Sequence, residues 1–258
     1  KRLLIFFILS IFIKAEIFDL SIPENDTASY TYADFRIWIN DSTDTLRGIY
    51  WFMHPNNGDS RDIVTDTAYQ NLAQGQNFAL LGAHIFNMHM DTGIGDAVIA
   101  AMDSFAILSQ HQELSFIPFF INGYSWGGQF AYHFTKWKPE RIVGFITQKG
   151  GYHDTTNAQL AIQVPALMIV GENDLDYRSE NLTNIFLNHR PEGAKWILAK
   201  EPGAGHTLVT DYGFLNFFFN NVVNLRIPHN TNLFEPIILN SLSDSIGWLG
   251  NQDTYTIG

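Results

Sequence analysis

Phe119-Phe120-Ile121-Asn122-Gly123-Tyr124-Ser125-Trp126-Gly127-Gly128 is the stretch that decides the fold. The apolar run Ile117 to Ile121 predicts a short buried strand, and Gln129 to Lys136 predicts a helix. Between them stands Gly-x-Ser-x-Gly. Alone, that pattern is equally a Gly-rich turn carrying an ordinary Ser. Flanked by a strand and a helix, it is a nucleophile elbow, with the Ser at a strained tip. Side chains at Gly123 and Gly127 would collide there with neighbouring chain, and the N–H groups opening the helix favour developing negative charge.

Outward from the elbow, apolar runs and helical spacing alternate. Strands are predicted over 30–39, 48–53, 78–85, 142–147, 166–170 and 195–199. Helices are predicted over 61–74, 96–110, 178–188 and within 207–221, the last with an aromatic face of Phe214, Phe217 and Phe218. Residues 16–29 read as a polar lead-in, and periodicity fades after 226. This alternation implies a mostly parallel α/β sheet with helices on both faces, with no internal repeat and no interdomain linker.

A nucleophilic Ser needs a base and a group that orients the base. In a parallel sheet both belong on loops at the C-terminal ends of later strands. The acid candidate lies in Gly171-Glu172-Asn173-Asp174-Leu175-Asp176: Asp174, with Glu172 or Asp176 as alternatives. The base candidate is His206, in Pro202-Gly203-Ala204-Gly205-His206. Two backbone N–H groups should hold an oxyanion. One is that of Trp126, after the nucleophile. The other belongs to the loop after Met53, with Asn56 favoured over Asn57, although Asn-Asn-Gly also suits a plain turn. Tyr124 and Trp126 either line an acyl pocket or pack under the elbow. The loop Lys149 to His153, and Tyr152 in it, is expected to touch substrate. His84 and His89 are not a Glu-flanked helical zinc pair, so no metal is expected.

The chain has 258 residues, 46% hydrophobic and 16% charged, which suits one large domain with a sizeable core. A formal net charge of −11 argues against nucleic acid as a partner. The absence of cysteine excludes disulfides, thiolate zinc ligands and thiol catalysis. Lys1-Arg2 followed by the apolar run Leu3 to Ile13 and the small Ala15 reads as a secretory signal peptide over residues 1–15. The alternative is a buried or membrane-anchoring segment. Residues 16–258 form the expected single domain. The abrupt stop at Gly258 leads us to expect a C-terminal continuation. Asn-x-Ser/Thr sequons at Asn25, Asn40 and Asn181 accord with an extracellular protein.

Gly123-Tyr124-Ser125-Trp126-Gly127, Gly171-Glu172-Asn173-Asp174 and Gly205-His206 together resemble the α/β-hydrolase superfamily. The order Ser125, Asp174, His206 is the superfamily's order. Within it, the sequence is similar to secreted esterases of the polyhydroxybutyrate-depolymerase and feruloyl-esterase-like group, from about residue 46 to residue 222. It departs from them at His54-Pro55-Asn56-Asn57-Gly58, where many relatives carry His-Gly. The resemblance implies a secreted serine esterase that acts on a small or polymeric ester, needs no cofactor and has no stable membrane association after processing. Its rivals are a serine peptidase on the same fold and a noncatalytic binding protein.

Overall fold

The computed structural model describes residues 16–24, 28–55 and 58–243. The signal-peptide reading of residues 1–15, the Asn25 sequon and both Asn56 and Asn57 lie outside the described residues. Among the described residues, no helix is long and apolar enough to cross a membrane.

Among the described residues, eight strands form one sheet: β1 (Glu16–Ser21), β2 (Ala33–Ile39), β3 (Gly48–Met53), β4 (Phe78–Ile85), β5 (Phe119–Tyr124), β6 (Ile142–Gln148), β7 (Ala166–Gly171) and β8 (Trp196–Glu201). Their order is β1-β2-β4-β3-β5-β6-β7-β8. β1 and β2 run antiparallel to their neighbours, and β3 to β8 are mutually parallel. The α-helices of the described residues that cover the sheet are α1 (Thr67–Gln74), α2 (Ile94–Ser109), α3 (Trp126–Trp137), α4 (Asp176–His189) and α5 (Tyr212–Arg226).

The period of two along each strand distributes the core between two layers. Ile49, Trp51 and Met53 of β3 face one layer, together with Phe119 and Ile121 of β5 and the buried faces of α2, α3 and α4. Tyr50, Phe52 and Phe120 face the other, with α1 and α5. Both faces of the central strands are dry, so these strands read as continuous apolar runs.

Three expectations need correction. The lead-in contains β1, an edge strand whose side chains are mostly exposed and which pairs Glu16 with Ile39 through Ser21 with Asp34. The helix expected over 61–74 is two pieces, a 3-10 segment over Arg61–Thr65 and then α1. Asp66 divides them, because its carboxylate accepts the N–H groups of Ala68 and Tyr69 as an N-cap. On α5 the buried stripe is Leu215, Phe218, Phe219, Val222, Val223 and Arg226, while Phe214 and Phe217 are exposed. Both sets keep the 3.6-residue repeat, but the buried stripe is turned by about one residue, roughly 100°, from the expected face, so only Phe218 belongs to both.

Candidate active site

β5 ends at Tyr124 and α3 begins at Trp126, so Ser125 is the whole turn between them. Its backbone sits at φ 55°, ψ −119°, a region that a residue with a Cβ rarely adopts. The Ser125 N–H donates to Gln148 O at 2.7 Å, which ties the tip to β6. A Cβ at Gly123 would lie 2.1 Å from Gly127 O, and one at Gly127 would lie 2.4 Å from Met53 O. The elbow is therefore packed against the end of β3, as the spacing predicts. Because α3 starts directly at Trp126, the Trp126 N–H is a first-turn amide with no acceptor inside its own helix. It stands beside Ser125 at the positive end of the helix dipole.

Ser125, Asp174 and His206 come together from loops after β5, β7 and β8. His206 Nε2 is 2.8 Å from Ser125 Oγ, and His206 Nδ1 is 2.8 Å from Asp174 Oδ2. The loops that carry the acid and the imidazole are joined backbone to backbone, with the Asn173 N–H donating to Ala204 O at 2.8 Å. The Asp174 carboxylate is buried. Its Oδ1 accepts from the Leu175 N–H at 2.7 Å and from Arg178 Nη1 at 2.9 Å. Burial acts to raise its pKa, but the bonds from His206, Leu175 and Arg178 outweigh it and hold the carboxyl below the usual range. The two alternative acids are occupied elsewhere or exposed. Glu172 accepts from the Gly203 N–H at 2.8 Å, and Asp176 is exposed in the first turn of α4.

The residues expected to contact substrate divide. The Tyr124 hydroxyl donates to His206 O at 2.7 Å, and its ring lies 5.2 Å from the imidazole. Trp126, half-buried, borders a cleft of about 140 Å³ whose other walls are Phe86, Asn87, Met88 and His89, from the loop after β4. Tyr152 is 66% exposed, with its ring 5.4 Å from that of Tyr177. The remainder of its loop points inward. Lys149 and His153 are buried, the latter between Thr147 Oγ1 at 2.9 Å and Asn181 Oδ1 at 3.0 Å. Asn181 also accepts the His153 N–H and donates to His153 O, so the side chain of this sequon is a clamp inside the fold.

Two functional-looking residues escaped the sequence reading. Arg178 lies one helical turn after Asp174, a spacing that places a cation on a carboxylate. Gln129 bridges the loops after β4 and β6: its Oε1 accepts the Gly151 N–H at 3.0 Å, and its Nε2 lies 3.2 Å from Met88 Sδ. Neither carries a local motif. Among the described residues, no group of three or more His, Asp or Glu side chains is arranged to hold a metal ion.

The strand order, the elbow after β5 and the two later loops define the α/β-hydrolase fold. Solved structures share it at low sequence identity. A ferulic acid esterase is similar with a TM-score of 0.58 and 9% identity, over 82% of this chain and 98% of that one. A dienelactone hydrolase from Anabaena variabilis is similar with a TM-score of 0.52 and 15% identity, over 81% of this chain and 95% of that one. A putative dipeptidyl aminopeptidase IV from Bacteroides ovatus is similar with a TM-score of 0.56 and 9% identity, over 83% of this chain and 36% of that one. No protein-family model matches the sequence, and no curated protein does.

Proposed function

We propose that this chain is a secreted serine hydrolase that cleaves carboxylic esters through an acyl-enzyme. The observation that carries the reading is the unbroken chain from Ser125 Oγ to His206 Nε2 and from His206 Nδ1 to Asp174 Oδ2, each link 2.8 Å. His206 takes the Ser125 proton as Oγ attacks the ester carbonyl, then returns it to the leaving alkoxide. Asp174 accepts a hydrogen bond from the Nδ1–H, fixes the tautomer and stabilises the imidazolium. Its depressed pKa keeps it ionised for that role. The Trp126 N–H receives the oxyanion, and the loop after β3 supplies the second donor, with Asn56 the favoured residue. Water then attacks the acyl-enzyme, with His206 again as base. The reaction uses no cofactor, and secretion rests on the basic and apolar start of the chain.

The cleft beside Trp126 receives the acyl group. Its walls are largely apolar, and its 140 Å³ is close to the ~150 Å³ of an engineered cavity that holds benzene. Short aliphatic or single-ring acyl groups match that space. Tyr152 and Tyr177, exposed and packed ring to ring, offer flat apolar surface that suits a leaving group. The test is a series of p-nitrophenyl esters from acetyl to decanoyl, with benzoyl and feruloyl esters and a matched p-nitroanilide, each normalised to its uncatalysed rate. The expected result is a maximum at short or aryl acyl groups and an ester preference. A normalised preference for the anilide, with cleavage of an unmodified peptide, would move the reading to a peptidase.

A further inference from the structure

His206 sits on an irregular loop between β8 and α5, yet its ring must stay within hydrogen-bond reach of Ser125. Three backbone groups of that loop are gripped by side chains at the ends of β5 and β6. The Tyr124 hydroxyl donates to His206 O at 2.7 Å, Lys149 Nζ donates to Thr207 O at 2.6 Å, and the Val209 N–H donates to Gln148 Oε1 at 3.0 Å. Two of these grips are anchored in turn. Gln148 Nε2 donates to Asn122 Oδ1 at 2.7 Å, and Asn122 Nδ2 donates to the Tyr50 hydroxyl at 2.9 Å, a buried polar line across β3, β5 and β6. Lys149 has a fully buried side chain, pairs with Glu201 Oε2 at 2.6 Å, and holds a left-handed φ of 54°.

Such an arrangement is costly for stability alone. Apolar side chains would fill the same space without desolvating a cation and two amides. What the polar set supplies is direction: fixed donors and acceptors aimed at consecutive points of one loop. We propose that Tyr124, Gln148 and Lys149 are positioning residues that hold the His206 loop, and through it the imidazole, in register with Ser125. These three hydrogen bonds to the His206 loop go to its backbone, and the Tyr124 ring also packs against the imidazole. Their consequence for rate rests on the serine-hydrolase reading; their consequence for the imidazole does not.

The experiment compares wild type with Tyr124→Phe and with the double variant Lys149→Met/Glu201→Gln, which removes the buried cation without stranding its partner. Each is assayed for kcat and KM on a p-nitrophenyl ester, for melting temperature, and by NMR of ring-labelled histidine for the low-field His206 Nδ1 proton shared with Asp174. Tyr124→Phe should lower kcat about 10-fold and the double variant on the order of 100-fold, with KM within about twofold of wild type. The low-field resonance should broaden or vanish in both. Variants that fold yet keep wild-type kcat and an unchanged resonance would overturn the brace, whatever their melting temperatures. Should the double variant fail to fold, Tyr124→Phe, which removes one oxygen, decides by the same two readouts. Should wild type hydrolyse no ester, the functional reading falls, and the resonance alone decides on the brace.

Discussion

Gly127→Ala tests the elbow through a single methyl group. The added Cβ would lie 2.4 Å from Met53 O and 2.7 Å from His54 O, against the 3.4 Å at which ordinary contact begins. Relief therefore requires a movement of about 1 Å. Neither side gives easily. Met53 is paired with Gly123 inside the parallel sheet, and Gly127 is fixed in the first turn of α3. Overpacking of this kind costs about 1–3 kcal/mol. A displacement of about 1 Å at the tip costs on the order of 100-fold in rate, because nucleophile and base lose their alignment. Gly75→Ala is the control. Gly75 ends α1 at φ −58°, and a Cβ there meets nothing closer than 3.4 Å. That change should be neutral or stabilise by about 0.4–1 kcal/mol through the unfolded chain. Urea midpoints and kcat on a p-nitrophenyl ester read both variants. A Gly127→Ala protein with wild-type kcat and midpoint would refute the steric account of the elbow.

Further predictions concern the acid and the buried histidines. Asp174→Asn should lower kcat by several orders of magnitude, about 10⁴ by the serine-protease precedent, while Asp176→Asn should do far less; the reverse ranking in steady-state assays would transfer the orienting role to Asp176. Arg178→Gln should leave Asp174 without its guanidinium partner, one of the bonds that hold its carboxyl low, so that pKa should rise and the acid limb of kcat/KM should move to higher pH. An unchanged pH profile would show that Arg178 has no electrostatic hold on the site. Burial lowers His153 to about 3 and His133 to about 4, so both stay neutral in the fold while the unfolded chain protonates them below its ordinary value near ~6.5. Their contribution is full above that value and is lost as pH falls toward 4 and 3. Between pH 6 and pH 4.5 His153 alone should remove about 2 kcal/mol from the unfolding free energy. A denaturation midpoint that does not fall over that interval would contradict the buried, neutral state.

How much of this was legible in the sequence depended on distance along the chain. β3 and β4 begin and end where their apolar runs do, because buried parallel strands leave continuous apolar stretches bounded by turn residues. β1 left little trace, since an edge strand with exposed side chains lacks that signature. Asp66 could have been read as a helix start but was hidden inside an apparently continuous amphipathic pattern. The three residues now seen in contact, Ser125, Asp174 and His206, stood out because each follows a strand and the elbow is local. The grips on the His206 loop did not stand out. Gln148 and Lys149 look like ordinary strand-end residues, and their partners lie some sixty positions away. Tyr124 showed its aromatic character, but nothing local showed that its hydroxyl reaches His206.

The proposed function stands or falls with Ser125 as a nucleophile activated by His206. A fluorophosphonate probe followed by peptide mass mapping tests it most directly. The expected result is a single adduct on Ser125, formed in wild type, lost in Ser125→Ala, and formed far more slowly in His206→Ala while the fold is retained. An adduct on another residue, or equal labelling of Ser125 with and without His206, would contradict it.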